Sequence, residues 1–159
     1  MLIQPERADQ PEVQALLNEL DRYLGELYEP QDNHILDIQA LLAPDVHFVV
    51  AREAQSVLGC AAFRRIPGDA ATNGEAYGEI KRMMVSESAR GRGIGAALLA
   101  ALEAAMMERG LSLALLETGE AQVQAIGLYE RAGYQRRAAF GGYPDNGLSQ
   151  FMSKRLIST

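Results

Sequence analysis

The sequence predicts a mixed α/β (α+β) fold, in which about six or seven strands form a central sheet accompanied by about four helices. Two observations lead to this prediction. Short runs with strand-like composition alternate with longer runs whose apolar residues recur every three or four positions. In addition, residues 77–118 read as strand, loop, helix and strand, the order of a βαβ crossover. The two strands of that unit are expected to be parallel neighbours, whereas the remaining strands follow one another like hairpins, which gives a mixed sheet.

Each element is predicted from its own pattern of apolar, turn and capping residues. The first helix is expected to begin with a capping box, in which Asp9 caps the helix and Pro11 occupies its first turn ahead of Glu12. Breaks at glycine and proline separate the other elements. Strands are predicted at 2–6, 47–52, 56–65, 77–85, 111–118, 134–140 and 148–156, and helices at 11–24, 35–42, 94–109 and 122–131.

Composition restricts the class of protein. The chain has 159 residues, of which 48% are hydrophobic and 23% charged, so we expect one globular domain spanning 1–159. A net charge of −6 lacks the basic excess of a nucleic-acid-binding protein. No apolar run approaches the ~20 residues of a membrane span, and the N-terminus lacks the features of a signal peptide. We therefore expect a protein without nucleic-acid or membrane partners.

The cysteine and histidine content restricts redox and metal chemistry. The single cysteine, Cys60, excludes an intrachain disulfide and favours a reducing, cytoplasmic location. Because Cys60 lies in an apolar run, we interpret it as a buried residue rather than a nucleophile. His34 and His47 lack cysteine or histidine partners at metal-ligand spacing, so no metal site is predicted.

The segment 86–106, SESARGRGIGAALLAALEAAM, alternates arginine with glycine directly ahead of an apolar helix. Glycine lacks a Cβ and allows an anion to approach main-chain N–H groups, and a helix N-terminus carries roughly half a positive charge. The pattern therefore predicts a phosphate-binding loop. The alternative is a glycine-rich turn that only starts the helix. The residues expected to hold the phosphate are Arg90, Gly91, Arg92, Gly93, Ile94, Gly95 and Ala96.

Two other phosphate-binding motifs are excluded by their context. Residues 91–96 formally satisfy G-x-G-x-x-G/A, the dinucleotide fingerprint. However, residues 86–90 separate the preceding strand from the first glycine, and too little chain follows for the rest of a dinucleotide domain. A P-loop is excluded because Gly-Lys-Ser/Thr is absent. The pattern that remains is Arg-x-x-Gly-x-Gly at 90–95.

This pattern resembles the acetyl-CoA site of the GNAT superfamily of N-acetyltransferases. Three further segments resemble that family in kind, order and approximate separation: EIKRMMV before the loop, LLET on the next strand and AIGLYERAGY on the following helix. The resemblance covers about residues 47–156. It implies a single GNAT domain with acetyl-CoA as co-substrate and with strands that splay apart at an acetyl-CoA cleft.

The resemblance also implies how the coenzyme is held. Main-chain groups of Met83 and Val85 are expected to bind the pantetheine arm as an added strand, with the acetyl carbonyl near Met84. A backbone N–H there would stabilise the developing oxyanion. The side chains of these residues are interpreted as strand core. Many family members carry asparagine seven residues before the tyrosine of the last motif; Gln122 stands there instead, which leaves that pantetheine contact open.

Two candidate catalytic residues follow from the same resemblance. Glu79 resembles the family's glutamate base, acting through water on an amine whose pKa lies near ~10.4. Pairing with a lysine or arginine is the alternative role for Glu79, and Glu117 is the lesser candidate base. Tyr129 matches the tyrosine beside the thioester sulfur and is expected to donate a proton to the leaving thiolate. Its alternative role is to pack the helix against the sheet.

The predicted activity is transfer of an acetyl group to a primary amine of a small molecule, peptide or protein by direct attack in a ternary complex. Tyr143 and the loop 66–76 are candidates for lining the acceptor pocket. A non-catalytic acyl-CoA-binding or sensing module on the same fold is the alternative. Homodimers are common in the family, so a homodimer is one expected state.

Overall fold

The computed structural model of the protein describes residues 1–32 and 35–157. Over these residues the order of elements is that predicted from the sequence, with seven strands and four α-helices. The strands are β1 (Leu2–Pro5), β2 (Val46–Glu53), β3 (Ser56–Ile66), β4 (Tyr77–Val85), β5 (Leu113–Gly119), β6 (Gln135–Arg137) and β7 (Ser149–Arg155), and the helices are α1 (Pro11–Leu27), α2 (Ile38–Leu41), α3 (Ile94–Glu108) and α4 (Val123–Arg131).

The strands form one mixed sheet in the order β1-β2-β3-β4-β5-β7-β6. β4 and β5 are parallel, with Gly78 opposite Ala114 and Ile80 opposite Leu116. This pairing confirms the crossover predicted for residues 77–118. The pairs β1–β2, β5–β7 and β6–β7 are antiparallel. The predicted mixed α/β class, with seven strands and four helices, is therefore confirmed.

The chain divides into two compact units, each with its own core. Unit 1 comprises Met1–Phe63 and Lys81–Leu102, and unit 2 comprises Arg64–Ile80 and Glu103–Thr159. In unit 1 the apolar stripe of α1, including Leu16 and Leu17, packs in a cluster with residues of β2, β3 and β4. The buried cluster of unit 2 contains Tyr77, Leu113, Leu115, Phe140 and Phe151. That the whole of 1–159 is a single domain stays a prediction.

The start of α1 differs from the predicted capping box. The N-cap residue is Gln10, whose side chain makes no capping hydrogen bond, although Pro11 occupies the first turn as predicted. Asp9 instead accepts two hydrogen bonds from the Arg7 guanidinium, at 3.0 and 2.8 Å. The assignment of Asp9 as the cap was therefore wrong, because an arginine two residues earlier occupies its carboxylate.

The second helix is shorter than the predicted span 35–42. α2 covers only Ile38–Leu41, because the Asp37 carboxylate accepts a hydrogen bond from the Ala40 N–H at 2.8 Å and fixes the start of the helix. His34 lies outside the described residues.

A glycine follows each of the two helices that precede and follow β5 in the sequence. Gly110 follows α3 with φ +77° and Gly133 follows α4 with φ +98°, the left-handed conformation expected after a helix C-terminus. Beyond Gly110, the Leu111 N–H donates to Met106 O at 3.0 Å, which closes the last turn. Within the described ranges, no helix combines the length and apolar character needed to cross a membrane.

Candidate active site

The glycine loop of unit 1 adopts a backbone that side chains disfavour. Gly91 has φ +81° and Gly93 has φ +77°. A Cβ built on either residue would meet no atom within 4 Å. Positive φ, rather than crowding by the protein, is therefore what requires glycine at these two positions. The space around them is open to a ligand.

Main-chain N–H groups converge where this loop enters α3. The Ala97 N–H donates to Gly93 O at 3.1 Å, which starts the hydrogen-bond ladder of the helix. The amides of Ile94, Gly95 and Ala96 precede that first bond, so they have no acceptor one turn earlier in the helix. Amides at a positive helix end, reached through two open glycines, fit a diphosphate.

The two arginines of the loop make weak contacts with the protein. Arg90 Nε donates to Val85 O at a long 3.4 Å. Arg92 Nη2 lies 2.7 Å from Glu53 Oε2, and both side chains are about half exposed. Exposed ion pairs contribute only ~0–1 kcal/mol. An incoming phosphate therefore competes for either arginine at small cost.

The end of β4 that precedes the loop directs alternate main-chain groups towards β3. Cys60 Sγ, on β3, donates to Arg82 O at 3.6 Å. Four residues later along the chain, the Ser86 N–H donates to Leu58 O, also on β3, at 2.8 Å. Because successive residues of a strand direct their main-chain groups to opposite edges, counting back from Ser86 places the main chain of Met84 on the β3 side as well.

Met83 and Val85, on either side of Met84, direct their main chain to the other edge of β4. A Cβ on Gly59 would lie 2.7 Å from Met84 O, so β3 approaches this carbonyl more closely than a side chain would allow. The side chain of Met84 is buried in the core cluster of unit 1, as the sequence predicted. The main-chain groups of Met83 and Val85 therefore have the orientation that an added strand requires.

Arg82 interrupts the regular geometry of β4. It has φ +58°, which is unusual for a residue with a side chain, and it is only 8% exposed. Its guanidinium Nη1 donates to the Asp21 carboxylate on α1. The Arg82 side chain is 4% exposed and the Asp21 side chain is 42% exposed, so a half-buried ion pair anchors the left-handed residue to α1.

Unit 2 contains a pocket of about 550 Å³. Its floor is formed by alternate residues of two strands, Arg64 and Ile66 of β3 with Tyr77 and Glu79 of β4. Residues two apart on a strand lie on the same face, which explains why these pairs share one surface. The walls come from two loops, and the residues that line them are Gly68, Asp69, Ala70, Ala71, Ala139, Phe140, Gly141, Gly142 and Tyr143.

Glu79 is the buried carboxylate of this pocket, with 3% of the residue exposed. The Tyr143 hydroxyl donates to Glu79 Oε2 in a short hydrogen bond, and Arg64 Nη2 lies 3.5 Å from Oε1. Burial, together with the neighbouring Glu79 carboxylate, raises the pKa of Tyr143 well above its ordinary value. Tyr143 therefore keeps its proton and remains a donor to Glu79 at neutral pH.

The loop 66–76 is closed on itself. Asp69 caps a short 3₁₀ turn over Ala70–Thr72, and the side chains of Asp69 and Thr72 form a reciprocal capping box. Gly68 has φ +100°, and a Cβ there would lie 2.5 Å from Gly74 O. From β6, Arg137 Nη2 donates to Ala71 O at 2.9 Å. Tyr143 and this loop thus line one pocket, as the sequence suggested they would.

Tyr129 lies in the interior of unit 2, 6% exposed, with its ring 6.0 Å from that of Tyr134 in an edge-to-face arrangement. Burial, with a smaller contribution from the Glu117 carboxylate, raises the pKa of Tyr129 well above its ordinary value. The phenol therefore stays protonated at neutral pH. Both predicted roles of Tyr129, proton donor and packing residue, are compatible with this environment.

The two remaining predicted site residues in unit 2 lie on β5 and at the start of α4. Glu117 Oε2 accepts a hydrogen bond from Ser149 Oγ at 2.6 Å, and the residue is half-buried. Gln122 is the N-cap residue of α4, and its side chain makes no capping hydrogen bond. The amide of Gln122 is therefore not committed to the helix end.

Sequence reasoning did not identify Arg64 as a pocket residue. It lies near the end of β3 beside Arg65, and only the alternation along the strand decides which of the two arginines faces the pocket. The only indication of a pocket arginine in the sequence was the pair of consecutive arginines at the end of an apolar strand. The aromatic residue Phe140 was also missed, because it reaches the pocket from a loop distant in the sequence.

Comparison with known proteins gives a consistent result. The acetyltransferase (GNAT) family profile matches residues 13–134. An IAA acetyltransferase from Azospirillum brasilense is 46% identical over 147 residues, which covers 92% of this chain and 92% of that protein. These matches extend over both units of the chain.

Solved structures agree with the family match. A Klebsiella pneumoniae structure assigned as an acyl-CoA N-acyltransferase superposes with a TM-score of 0.77 and 34% identity, covering 98% of this chain and 97% of that one. An aminoglycoside 6′-N-acetyltransferase complexed with coenzyme A shares the fold, with a TM-score of 0.71, 19% identity, and coverage of 100% and 99%. The profile, the close relative and the shared fold agree, and the chain belongs to the GNAT family of acetyltransferases.

Proposed function

We propose that the chain transfers the acetyl group of acetyl-CoA to a primary amine of a small molecule or peptide, by direct attack in a ternary complex. The observation that carries this proposal is the carboxylate of Glu79, buried on the floor of a pocket of about 550 Å³. Sites for small molecules commonly have volumes of ~300–1,000 Å³. A buried carboxylate in such a pocket is a candidate for proton transfer.

The family uses acetyl-CoA as co-substrate, and the thioester supplies the acetyl group. In this chain the amides of residues 91–96 would hold the diphosphate. The main chain of Met83 and Val85 would bind the pantetheine arm, and the Gln122 amide is available for a further contact. Because Met84 directs its main chain towards β3, the N–H of Met83 or Val85 is the better candidate to stabilise an oxyanion.

Glu79 would remove the proton that prevents an ammonium group from attacking. An alkyl ammonium with a pKa near ~10.4 is almost fully protonated at neutral pH, so a base is required. Tyr143 donates to one carboxylate oxygen of Glu79, which fixes the orientation of the group. Arg64 Nη2 lies 3.5 Å from the other oxygen, so the carboxylate has a cation beside it as well as a phenol donor.

Tyr129 would supply a proton at the sulfur of the coenzyme. Its raised pKa keeps the phenol protonated across the working range of pH, so the hydroxyl remains a donor. Its ring is fixed against Tyr134, which removes rotational freedom from the donor. In this proposal Glu79 on β4 is the general base and Tyr129 on α4 is the proton donor.

The proposal is tested by incubating the purified protein with acetyl-CoA and a panel of primary amines, and by measuring free thiol. IAA is tested as a separate acceptor, outside the panel of amines, because the Azospirillum brasilense relative is named for it. We expect thiol release that depends on an amine and is lost in Glu79→Gln. Tight coenzyme binding without thiol release from any acceptor would instead identify an acyl-CoA-binding module.

A further inference from the structure

We propose that the acceptor is an α-amino acid with an aromatic or apolar side chain, and that Arg64 binds its carboxylate. This inference rests on the proposed function and names the substrate class for the same pocket. It makes Arg64 a residue that determines specificity, in addition to the base and the proton donor.

Arg64 has donor capacity that the protein does not use. Its guanidinium carries five N–H donors, of which Nη2 contacts Glu79 Oε1 at 3.5 Å, the limit of a hydrogen bond. Within residues 1–32 and 35–157, Arg64 Nε is buried and has no hydrogen-bond partner. A buried charged donor without an acceptor is costly, so this geometry is suited to an acceptor brought by a ligand.

The other charged groups that line the pocket have internal partners. Asp69 accepts from the Ala71 N–H at 2.9 Å and from the Tyr77 hydroxyl at 3.3 Å. Glu79 accepts from Tyr143 and stands opposite the substrate amine in the proposed reaction. Among the lining residues in the described part of the chain, Arg64 is therefore the cation available to an anionic group.

Arg64 and Glu79 are adjacent on the pocket floor, and this spacing favours an α-amino acid. A cation and a carboxylate 3.5 Å apart match a ligand whose carboxylate and amine are attached to one carbon atom. The amine would lie at Glu79 and the carboxylate at Arg64, where a guanidinium can bind both oxygens. Opposite charges would be paired at both positions.

Apolar residues line much of the rest of the pocket, and Ile66, Ala139 and Tyr143 among them are partly exposed and packed against a buried aromatic cluster. Tyr77 is 1% exposed and Phe140 is 2% exposed, and their rings meet edge to face at 5.7 Å. The Phe140 ring also lies 5.6 Å from that of Tyr143. Such walls bind apolar or aromatic side chains and offer little to a polar one. This surface selects the side chain of the amino acid.

The test compares two acceptors that differ only in the carboxylate, L-phenylalanine and 2-phenylethylamine. In the wild-type protein we expect kcat/KM to be about 10- to 100-fold higher for L-phenylalanine, mainly through a lower KM, the scale of a hydrogen-bonded charge pair. In Arg64→Gln the preference should disappear, because kcat/KM for L-phenylalanine falls towards that for 2-phenylethylamine. Arg64→Lys should restore part of the preference.

Arg65→Gln is the matched control, because Arg65 is the next residue of β3, is exposed and does not line the pocket. It should keep the wild-type preference. Equal rates for the two acceptors in the wild-type protein would overturn the proposal. So would an Arg64→Gln variant that loses kcat equally with both, since Arg64 would then act on Glu79 rather than on the acceptor.

A binding measurement separates failure of this inference from failure of the proposed function. N-acetyl-L-phenylalanine and N-acetyl-2-phenylethylamine are titrated into the protein in the presence of coenzyme A, and heat is measured. The carboxylated compound should bind about 10-fold or more tightly, and Arg64→Gln should abolish the difference. Equal affinities would overturn the carboxylate assignment even if turnover is observed with other amines.

Discussion

The glycine loop of unit 1 and the pocket of unit 2 use opposite means of recognition. The loop presents main-chain amides, and its residues from Arg90 to Gly93 are exposed. The pocket presents side chains, and Tyr77 and Glu79 on its floor are 1% and 3% exposed. Backbone conformation decides what the loop can bind, whereas side-chain chemistry decides what the pocket can bind. Substitutions in the two regions should therefore change different measurements.

The largest effect is expected from Glu79→Gln in the pocket. Loss of a general base lowers kcat by about 10²- to 10⁴-fold, whereas the dissociation constant of coenzyme A should stay within about twofold. Thiol release and a coenzyme titration measure the two quantities. Glu117→Gln is the comparison, expected to cost less than about tenfold. A larger loss in Glu117→Gln than in Glu79→Gln would move the base from β4 to β5.

The corresponding change in the loop is Gly93→Glu. It adds a negative charge and a side chain where the diphosphate is expected, so the dissociation constant of coenzyme A should rise by roughly 30-fold. Gly110→Glu is a close control, since Gly110 also has φ +77° and open space, but at the other end of α3. Both variants carry the same backbone strain. Equal coenzyme affinity in the two variants would show that the loop does not bind the diphosphate.

A smaller effect is expected from Tyr129→Phe, which keeps the ring and removes the proton. We expect kcat to fall by about tenfold while coenzyme affinity is maintained. Tyr134→Phe removes the neighbouring hydroxyl, which donates to Glu103 Oε2 at 2.9 Å, and should leave kcat within about twofold. If Tyr129→Phe lowers kcat and affinity by the same factor, Tyr129 is a packing residue.

The smallest effect is expected on the stability of the protein at alkaline pH. It depends on buried tyrosine side chains of unit 2, whereas the main-chain amides of the loop do not titrate. Burial raises the pKa values of Tyr129 and Tyr134 above those of the unfolded chain. The stability they contribute is therefore present below pH ~10 and is lost as pH rises above it, at up to ~1.4 kcal/mol per pH unit for each phenol. Urea unfolding from pH 9 to 11 measures the slope, and Tyr129→Phe should reduce it. An unchanged slope would contradict burial of that phenol.

The sequence predicted those features that depend on local patterns. The strand expected at residues 77–85 is β4, and the crossover to β5 was predicted because loop and helix signals lie between two apolar runs. The cap at Asp9 was not predictable from its own motif, since Arg7 competes for the carboxylate. The position of Arg64 in the pocket was not predicted for a different reason. The residues that surround it there come from β4 and from two loops that are separate in the sequence.

The closed loop between β3 and β4 carries two positions at which the pocket can change while the turn is kept. Gly68 and the Asp69–Thr72 capping box fix both ends of a short turn, while Ala70 and Ala71 between them are exposed and line the pocket. Larger residues at these two alanines would narrow the entrance without disturbing the bonds that hold the turn. The shape of the pocket can thus vary at two positions whose side chains take no part in the hydrogen bonds of the turn.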